Sequence, residues 1–279
     1  MRQVEKRRMC PNCRAFITTD DKTCPYCNAE VGPPAAARRS PADALGGLIP
    51  QARFTTMMIL LINTGLYLAT VVQSSRTGGE GLDPSLATLF DFGAKAGSLS
   101  AILAAHQWWR LLTAGFLHGG ILHILMNSWV LFDLGAQTEE AYGTSRYLVL
   151  YLVSTVTGFM ASAYWSPVLS IGASAGILGL IGAMIALAMR DRSSHGTAMR
   201  NQYLRWVFYL FIFGLLPFFS VDNAAHIGGL AGGFAIAYLC GTPGRSPAVE
   251  RFWQIAAGIV MAITGVAFVE MFLGLTGQK

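Results

Sequence analysis

From residue 147 to residue 189 the chain carries no Asp, Glu, Lys or Arg, an uncharged run of 43 residues bounded by Arg146 and Arg190. An α-helix rises about 1.5 Å per residue and the hydrocarbon core of a bilayer is about 30 Å thick, so such a run holds two membrane-crossing helices. Trp165, Ser166 and Pro167 supply the break between them. Hydrophobic residues make up 53% of the 279 and charged residues 13%, about half the charged share of a soluble domain. The chain is therefore expected to be an all-α polytopic membrane protein.

Charge spacing locates the other spans, because charged side chains are poorly tolerated at the bilayer centre. Seven helices are expected: Met57 to Val72 as the core of the first, then Leu111 to Phe132, Tyr147 to Tyr164, Gly172 to Met189, Trp206 to Phe219, Ala224 to Cys240, and Phe252 to Val269. With the N-terminus inside, nine basic residues fall in the tail and seven in inner loops, against Arg76, Lys95, Arg110 and Lys279 outside. That bias predicts a cytoplasmic N-terminus. The net charge of +5 then reads as topology, and no nucleic-acid partner is expected. Residues 1–53 lack the apolar core of a cleaved signal peptide, so the first span is expected to act as the insertion signal.

The tail is a different kind of sequence. Cys10 and Cys13, then Cys24 and Cys27, form two CxxC knuckles, a spacing that brings four thiolates around one zinc ion. Paired disulfides are the competing reading, but a cytoplasmic tail is a reducing place. About thirty residues cannot build a core alone, so the metal would supply folding free energy. Residues 1–30 are read as a small zinc-ribbon-like module that binds a protein partner or steadies the tail. Residues 31–53, with Pro33, Pro34, Arg38 and Arg39, read as a flexible linker.

Polar residues at membrane depth need a reason. His123 and Asn127 are four apart, so on a helix they share a face, while His118 precedes the pair Gly119 and Gly120. Singly, each has an ordinary explanation, at the interface or as a helix–helix pin. Ser174 lies in Gly172-Ala173-Ser174-Ala175-Gly176, and His226 is followed by Gly228, Gly229, Gly232 and Gly233. GxSxG in soluble hydrolases requires a strand before it and a helix after it, and here the setting is helical. Small residues alone mean close helix packing. Gly172, Gly176, Gly179 and Gly182 offer the glycines near His226 a matching surface, and helices packed that tightly would bring Ser174 and His226 within hydrogen-bond reach.

It is the ordered set that carries a resemblance. Trp109 and Arg110, then His118, His123 and Asn127, then Gly172 to Gly176 around Ser174, then Ala225 and His226 with Gly229 and Gly233, is similar to the rhomboid intramembrane serine proteases. The resemblance covers about residues 54–245. It implies a six-helix core with a water-filled cavity opening to the outer face, the seventh helix (residues 246–279) being a C-terminal addition. It further implies a dyad of Ser174 as nucleophile and His226 as general base, with Asn127, His123 and the Ser174 backbone N–H holding the oxyanion. His118, Trp109, Arg110, Gly172, Gly229 and Gly233 would support the site. Many relatives carry an aromatic ring where this chain has Leu178, so packing rather than stacking must fix the His226 ring.

The implied substrate is a single-span membrane protein cut near the outer surface of the bilayer, where Gly or Pro weakens its helix. A bacterial inner membrane is the expected location. Two other readings use the same residues: a transporter path through His118, His123, His226 and Asn127, for which Ser174 is dispensable, and a catalytically inactive relative that binds membrane proteins. A metalloprotease of the HExxH type is rejected, since no Glu occurs between Glu140 and Glu250.

Overall fold

The computed structural model describes residues 7–10, 12–13, 15–18, 21–31, 53–79, 81–216, 221–244 and 246–277. They fall into two compact units, residues 1–51 and 52–279. Most of the expected linker, residues 32–52, lies outside the described residues.

In the first unit β1 (Arg7–Met9) pairs antiparallel with β2 (Phe16–Thr18). The two cysteine knuckles repeat one geometry, the Cys10 N–H bonding to the Ala15 carbonyl at 2.8 Å and the Cys24 N–H to the Ala29 carbonyl at 2.9 Å. Cys10, Ile17, Cys24 and Val31 are the buried cluster of this unit. Two aliphatic side chains and two thiols are far less apolar surface than a self-supporting domain buries.

The second unit is helical. Its α1 (Phe54–Arg76) turns Thr55, Thr56, Ile59, Asn63, Tyr67, Thr70 and Ser74 inward and leaves Leu61, Ile62, Leu68 and Val72 exposed. Apolar residues outside and small polar ones inside is the inverse of a soluble helix, and suits a surface met by lipid. Three short helices follow, α2 (Leu86–Asp91), α3 (Leu99–Ala104) and α4 (Arg110–Thr113), the last continuing as a 3-10 turn over Ala114–Phe116. Then come α5 (Ile121–Trp165), α6 (Ser174–Arg190), α7 (Ser194–Gly214), α8 (Asn223–Cys240) and α9 (Pro247–Leu275). Among the described residues α1, α5 and α9 are long and apolar enough to cross a membrane, and α6 is apolar but shorter.

The α5 segment is two rods. Gly143 sits at φ 74° and ψ 157° within it, a conformation that breaks the helix and that a residue with a Cβ rarely adopts. Arg146, buried just beyond this break, makes a two-pronged ion pair with Glu250 at 2.7 and 3.0 Å, and its guanidinium lies 5.5 Å from the centre of the Trp253 ring. The start of α9 is thereby anchored to the bundle. Counting the two rods separately, helices occupy all seven expected places.

Several boundaries differ from expectation: the first rod of α5 runs on past Phe132 to the break at Gly143, α9 overruns Phe252 to Val269 at both ends, and two helices start ten or more residues from their expected places. The second span begins at Ile121, not Leu111, because Leu117 is extended and Gly119 and Gly120 interrupt the chain before α5 starts. Residues 110–116 instead form the buried turn that packs beneath it. The fifth helix starts at Ser194, twelve residues before Trp206, where the Ser193 hydroxyl accepts the Gly196 N–H at 3.2 Å. Arg200 and Arg205 lie inside α7, so a charge marks where an apolar run ends and not where a helix does. The far end expected for this span, residues 217–219, lies outside the described residues.

At the centre is α6, with thirteen of its 17 residues buried. It packs chiefly against α8 and the second rod of α5, and the contact is backbone to backbone. A Cβ on Gly229 would collide with the Ala175 carbonyl, and one on Gly233 with the Gly179 carbonyl. One on Gly182 would meet the Leu230 carbonyl, and one on Gly158 would come within 2.7 Å of the Ala225 carbonyl.

Candidate active site

This glycine packing puts a hydroxyl and an imidazole together. Ser174 is the first residue of α6 and His226 lies in the first turn of α8, and the Ser174 Oγ is 2.9 Å from the His226 Nε2. His226 is buried while Ser174 is half-buried. A serine within hydrogen-bond distance of a histidine nitrogen can pass its proton to that nitrogen as it attacks an electrophile.

Gly172 shapes the approach to Ser174. Its φ is +126°, and a Cβ there would stand 2.8 Å from the His123 Nε2 and 3.6 Å from the Ser174 Oγ. His123 and the serine therefore face the same small space, which only glycine leaves open. The Gly119 N–H reaches the His123 Nδ1 at 3.4 Å, and the His118 ring packs edge-on against His123 with centroids 5.1 Å apart. Asn127, one turn along α5, is half-buried, and its Nδ2 has no hydrogen-bond partner. An amide donor left without an acceptor in a buried place is costly unless something else binds there.

Arg110 makes its contacts within the segment between α1 and α5. The Arg110 guanidinium donates to the Phe90 carbonyl at 2.6 Å, the Ala94 carbonyl at 2.9 Å and the Gln107 Oε1 at 2.8 Å, and it lies over the Phe90 and Trp109 rings. The residue thus gathers the segment between α1 and α5 around one buried cation. Gly229 and Gly233 are helix-crossing residues rather than members of the serine's surroundings, and Leu178 is buried in the core of α6.

Two residues near the site stand outside the sequence-based assignment: Lys95 reads there only as an outer-loop charge, and Asp222, four residues before His226, is set aside because the resemblance implies a dyad without a third member. Lys95 is fully buried, donating to the Ser166 and Val168 carbonyls. Asp222 caps α8 by accepting the Ala225 N–H at 2.9 Å, and accepts a hydrogen bond from the Ser162 hydroxyl. An Asp just before a helix is a capping signal that could have placed Asp222. A lone lysine in an apolar loop carries no comparable signal.

In the N-terminal unit the four cysteines are free thiols whose sulfurs all lie within 4.8 Å of one another. Cys10 and Cys27 are 3.7 Å apart at sulfur, as are Cys13 and Cys24. Four metal–sulfur bonds of about 2.3 Å in a tetrahedron separate each pair of sulfurs by about 3.8 Å, so the set could hold a metal ion. The Ala29 backbone N–H and the Asn12 side chain donate to Cys27 and hold its thiol down at about 6.

A family model described as the Rhomboid domain matches residues 105–243. Rhomboid protease GluP of Bacillus subtilis is 36% identical over 176 residues, covering 63% of this chain and 34% of its own length. RHOMBOID-like protein 6, mitochondrial, of Arabidopsis thaliana is 32% identical over 225 residues, 71% of each chain. Rhomboid-like protease 1 of Toxoplasma gondii is 30% identical over 273 residues, 89% of each. The chain thus spans about a third of the Bacillus relative and most of the other two.

Proposed function

The chain belongs to the rhomboid family, and from that premise we propose that it is an intramembrane serine endopeptidase working through the dyad of Ser174 and His226. The observation that carries this reading is the 2.9 Å approach of the Ser174 Oγ to the His226 Nε2. The Ser174 Oγ attacks the scissile carbonyl carbon while His226 takes its proton. The tetrahedral oxyanion accepts hydrogen bonds from the Ser174 backbone N–H, Asn127 and His123. The C–N bond then breaks, His226 returns the proton to the leaving amine, and water cleaves the acyl-serine by the same route.

Substrates are single-span membrane proteins. A 17-residue α6 is about 25 Å long, shorter than the hydrocarbon core of about 30 Å, so a serine at its first position sits below the bilayer surface. With the N-terminus cytoplasmic by the charge bias, that end of α6 faces the outer side, in a bacterial inner membrane. The six-helix core covers residues 54–245, and residues 246–279 add the seventh helix.

The reading is tested by incubating the purified protein with a reporter whose single span carries Gly or Pro near its outer end, and by labelling with a fluorophosphonate. Cleavage and labelling are expected from the wild type alone, not from Ser174→Ala or His226→Ala. A wild type that neither labels nor cuts would move the transporter and inactive-binder readings ahead.

Asn127→Ala tests the oxyanion assignment. One lost donor lowers kcat about a hundredfold, while fluorophosphonate labelling of Ser174 persists at a reduced rate. An unchanged kcat removes Asn127 from the site.

Cys10, Cys13, Cys24 and Cys27 are proposed to hold one structural Zn²⁺, with no part in catalysis. One zinc per chain is expected by elemental analysis of the wild type and none in Cys24→Ser, whose tail becomes protease-sensitive while Ser174 labels within about twofold of the wild-type rate. Metal retained by Cys24→Ser would refute the ligand set. The module binds a protein partner or steadies the tail, and no nucleic acid is its expected ligand.

A further inference from the structure

Lys95 holds a charge where charge is expensive. Its side chain is completely buried, and its ammonium donates to the Ser166 carbonyl at 2.5 Å and the Val168 carbonyl at 2.9 Å. Its backbone pairs with Ser170 in an isolated antiparallel bridge, Lys95 N–H to Ser170 O at 3.1 Å and Ser170 N–H to Lys95 O at 2.8 Å. Gly97 adds an N–H bond to the Pro167 carbonyl at 2.8 Å. Residues 166–170 are therefore stitched to one short stretch around Lys95. That segment is the lead-in to Ser174: Gly172 follows, its N–H bonded to the Ala114 carbonyl at 2.9 Å, and α6 starts two residues later.

A second charged residue, Asp222, holds the start of the histidine's helix. Lys95 and Asp222 act on each other electrostatically without touching. Asp222 caps α8 through the Ala225 N–H, accepts from Ser162 on α5, and its carbonyl accepts the His226 N–H at 3.1 Å. Burial lowers the pKa of the Lys95 ammonium and Asp222 raises it again. A cation left without partners in such a place would be strongly disfavoured, and here the Ser166 and Val168 carbonyls accept from it while Asp222 is the acidic group that favours its charge.

We propose that Lys95 and Asp222 are positioning residues that set the register of the dyad, Lys95 by clamping the lead-in to Ser174 and Asp222 by fixing the first turn of α8 that carries His226. The proposal rests on the reading of Ser174 and His226 as nucleophile and base. Neither residue touches the reacting atoms; each acts through the serine or the histidine.

The test uses the full chain in detergent, with Ser174→Ala as blank, and compares wild type, Lys95→Met, Asp222→Asn, the double variant and Lys95→Arg. Fluorophosphonate labelling rates and steady-state reporter cleavage are both measured. Each neutral single variant is expected to label and turn over about tenfold or more slowly with KM within about twofold, since a misplaced reacting group costs rate and not binding. The double variant is expected to be no slower than the slower single, because the two charges act as a pair. Lys95→Arg, which keeps charge and donors, recovers most of the rate. Asp222→Asn keeps an oxygen for the Ala225 N–H and so carries the test even where Lys95→Met fails to fold. Single variants labelling at the wild-type rate, or losses that multiply in the double, would overturn the pairing. A wild type that does not label sinks the dyad itself, a result distinct from either.

Discussion

Ser174→Ala is expected to reduce cleavage of a transmembrane reporter by at least about three orders of magnitude, to the detection floor, and His226→Ala to do nearly the same. The two losses are not expected to multiply. The hydroxyl attacks only as its proton leaves for the imidazole, and the imidazole has nothing to accept once the hydroxyl is gone, so the double variant should be no slower than either single. The 2.9 Å contact between them is already at hydrogen-bond length without a substrate, so little reorganisation separates the resting geometry from the reactive one. Asp222 bonds to the Ala225 N–H and to Ser162 rather than to the imidazole, so His226 is held by packing and by its helix. Fluorophosphonate labelling checks the first half of the chemistry alone, because phosphorylation of the serine needs no helical substrate. Labelling of Ser174→Ala at the wild-type rate would transfer the nucleophile's role elsewhere and end this account.

Much of the helical frame was legible because lipid forces it to be. A charge at the bilayer centre is so disfavoured that the empty stretch between Arg146 and Arg190 reads as two helices, and α6 begins within two residues of the place expected from Gly172. The second span was placed too early because hydrophobicity records burial and not helicity. Leu111, Leu112, Ala114 and Phe116 are buried by protein in a short turn, and the same residues in a membrane helix would read identically. The meeting of Ser174 with His226 was legible from glycines on both helices, since close approach needs small residues on each side. Lys95 was not. Its role depends on carbonyls of Ser166 and Val168, 71 and 73 residues away, and a carbonyl has no signature in sequence. Arg146 was read as a loop charge for the same reason: Glu250 lies 104 residues on.

Gly229→Ala is expected to be, with Gly233→Ala, among the costliest single-methyl changes in the bundle, although Ala is the better helix former by about 1 kcal/mol. The added Cβ would collide with the carbonyl of Ala175, the residue next to the nucleophile. That carbonyl belongs to the backbone of α6, which is locked by Tyr151 and Thr155 against Gly176 and by Ser154 against Gly179, so it has nowhere to retreat. The helices must separate instead, and forced overpacking of this kind costs about 1–3 kcal/mol or more. Activity should suffer beyond stability, because separation of α6 from α8 is separation of Ser174 from His226, and a displacement of about 1 Å lowers the rate on the order of a hundredfold. Gly258→Ala on α9 is the control: a Cβ there meets nothing within 4 Å, and the variant is expected to unfold no earlier than wild type and label at the same rate. If Gly229→Ala labels Ser174 as fast as Gly258→Ala does, then the glycine crossing is not what brings the dyad together, and proximity must be maintained from the loops around Lys95 and Asp222 alone.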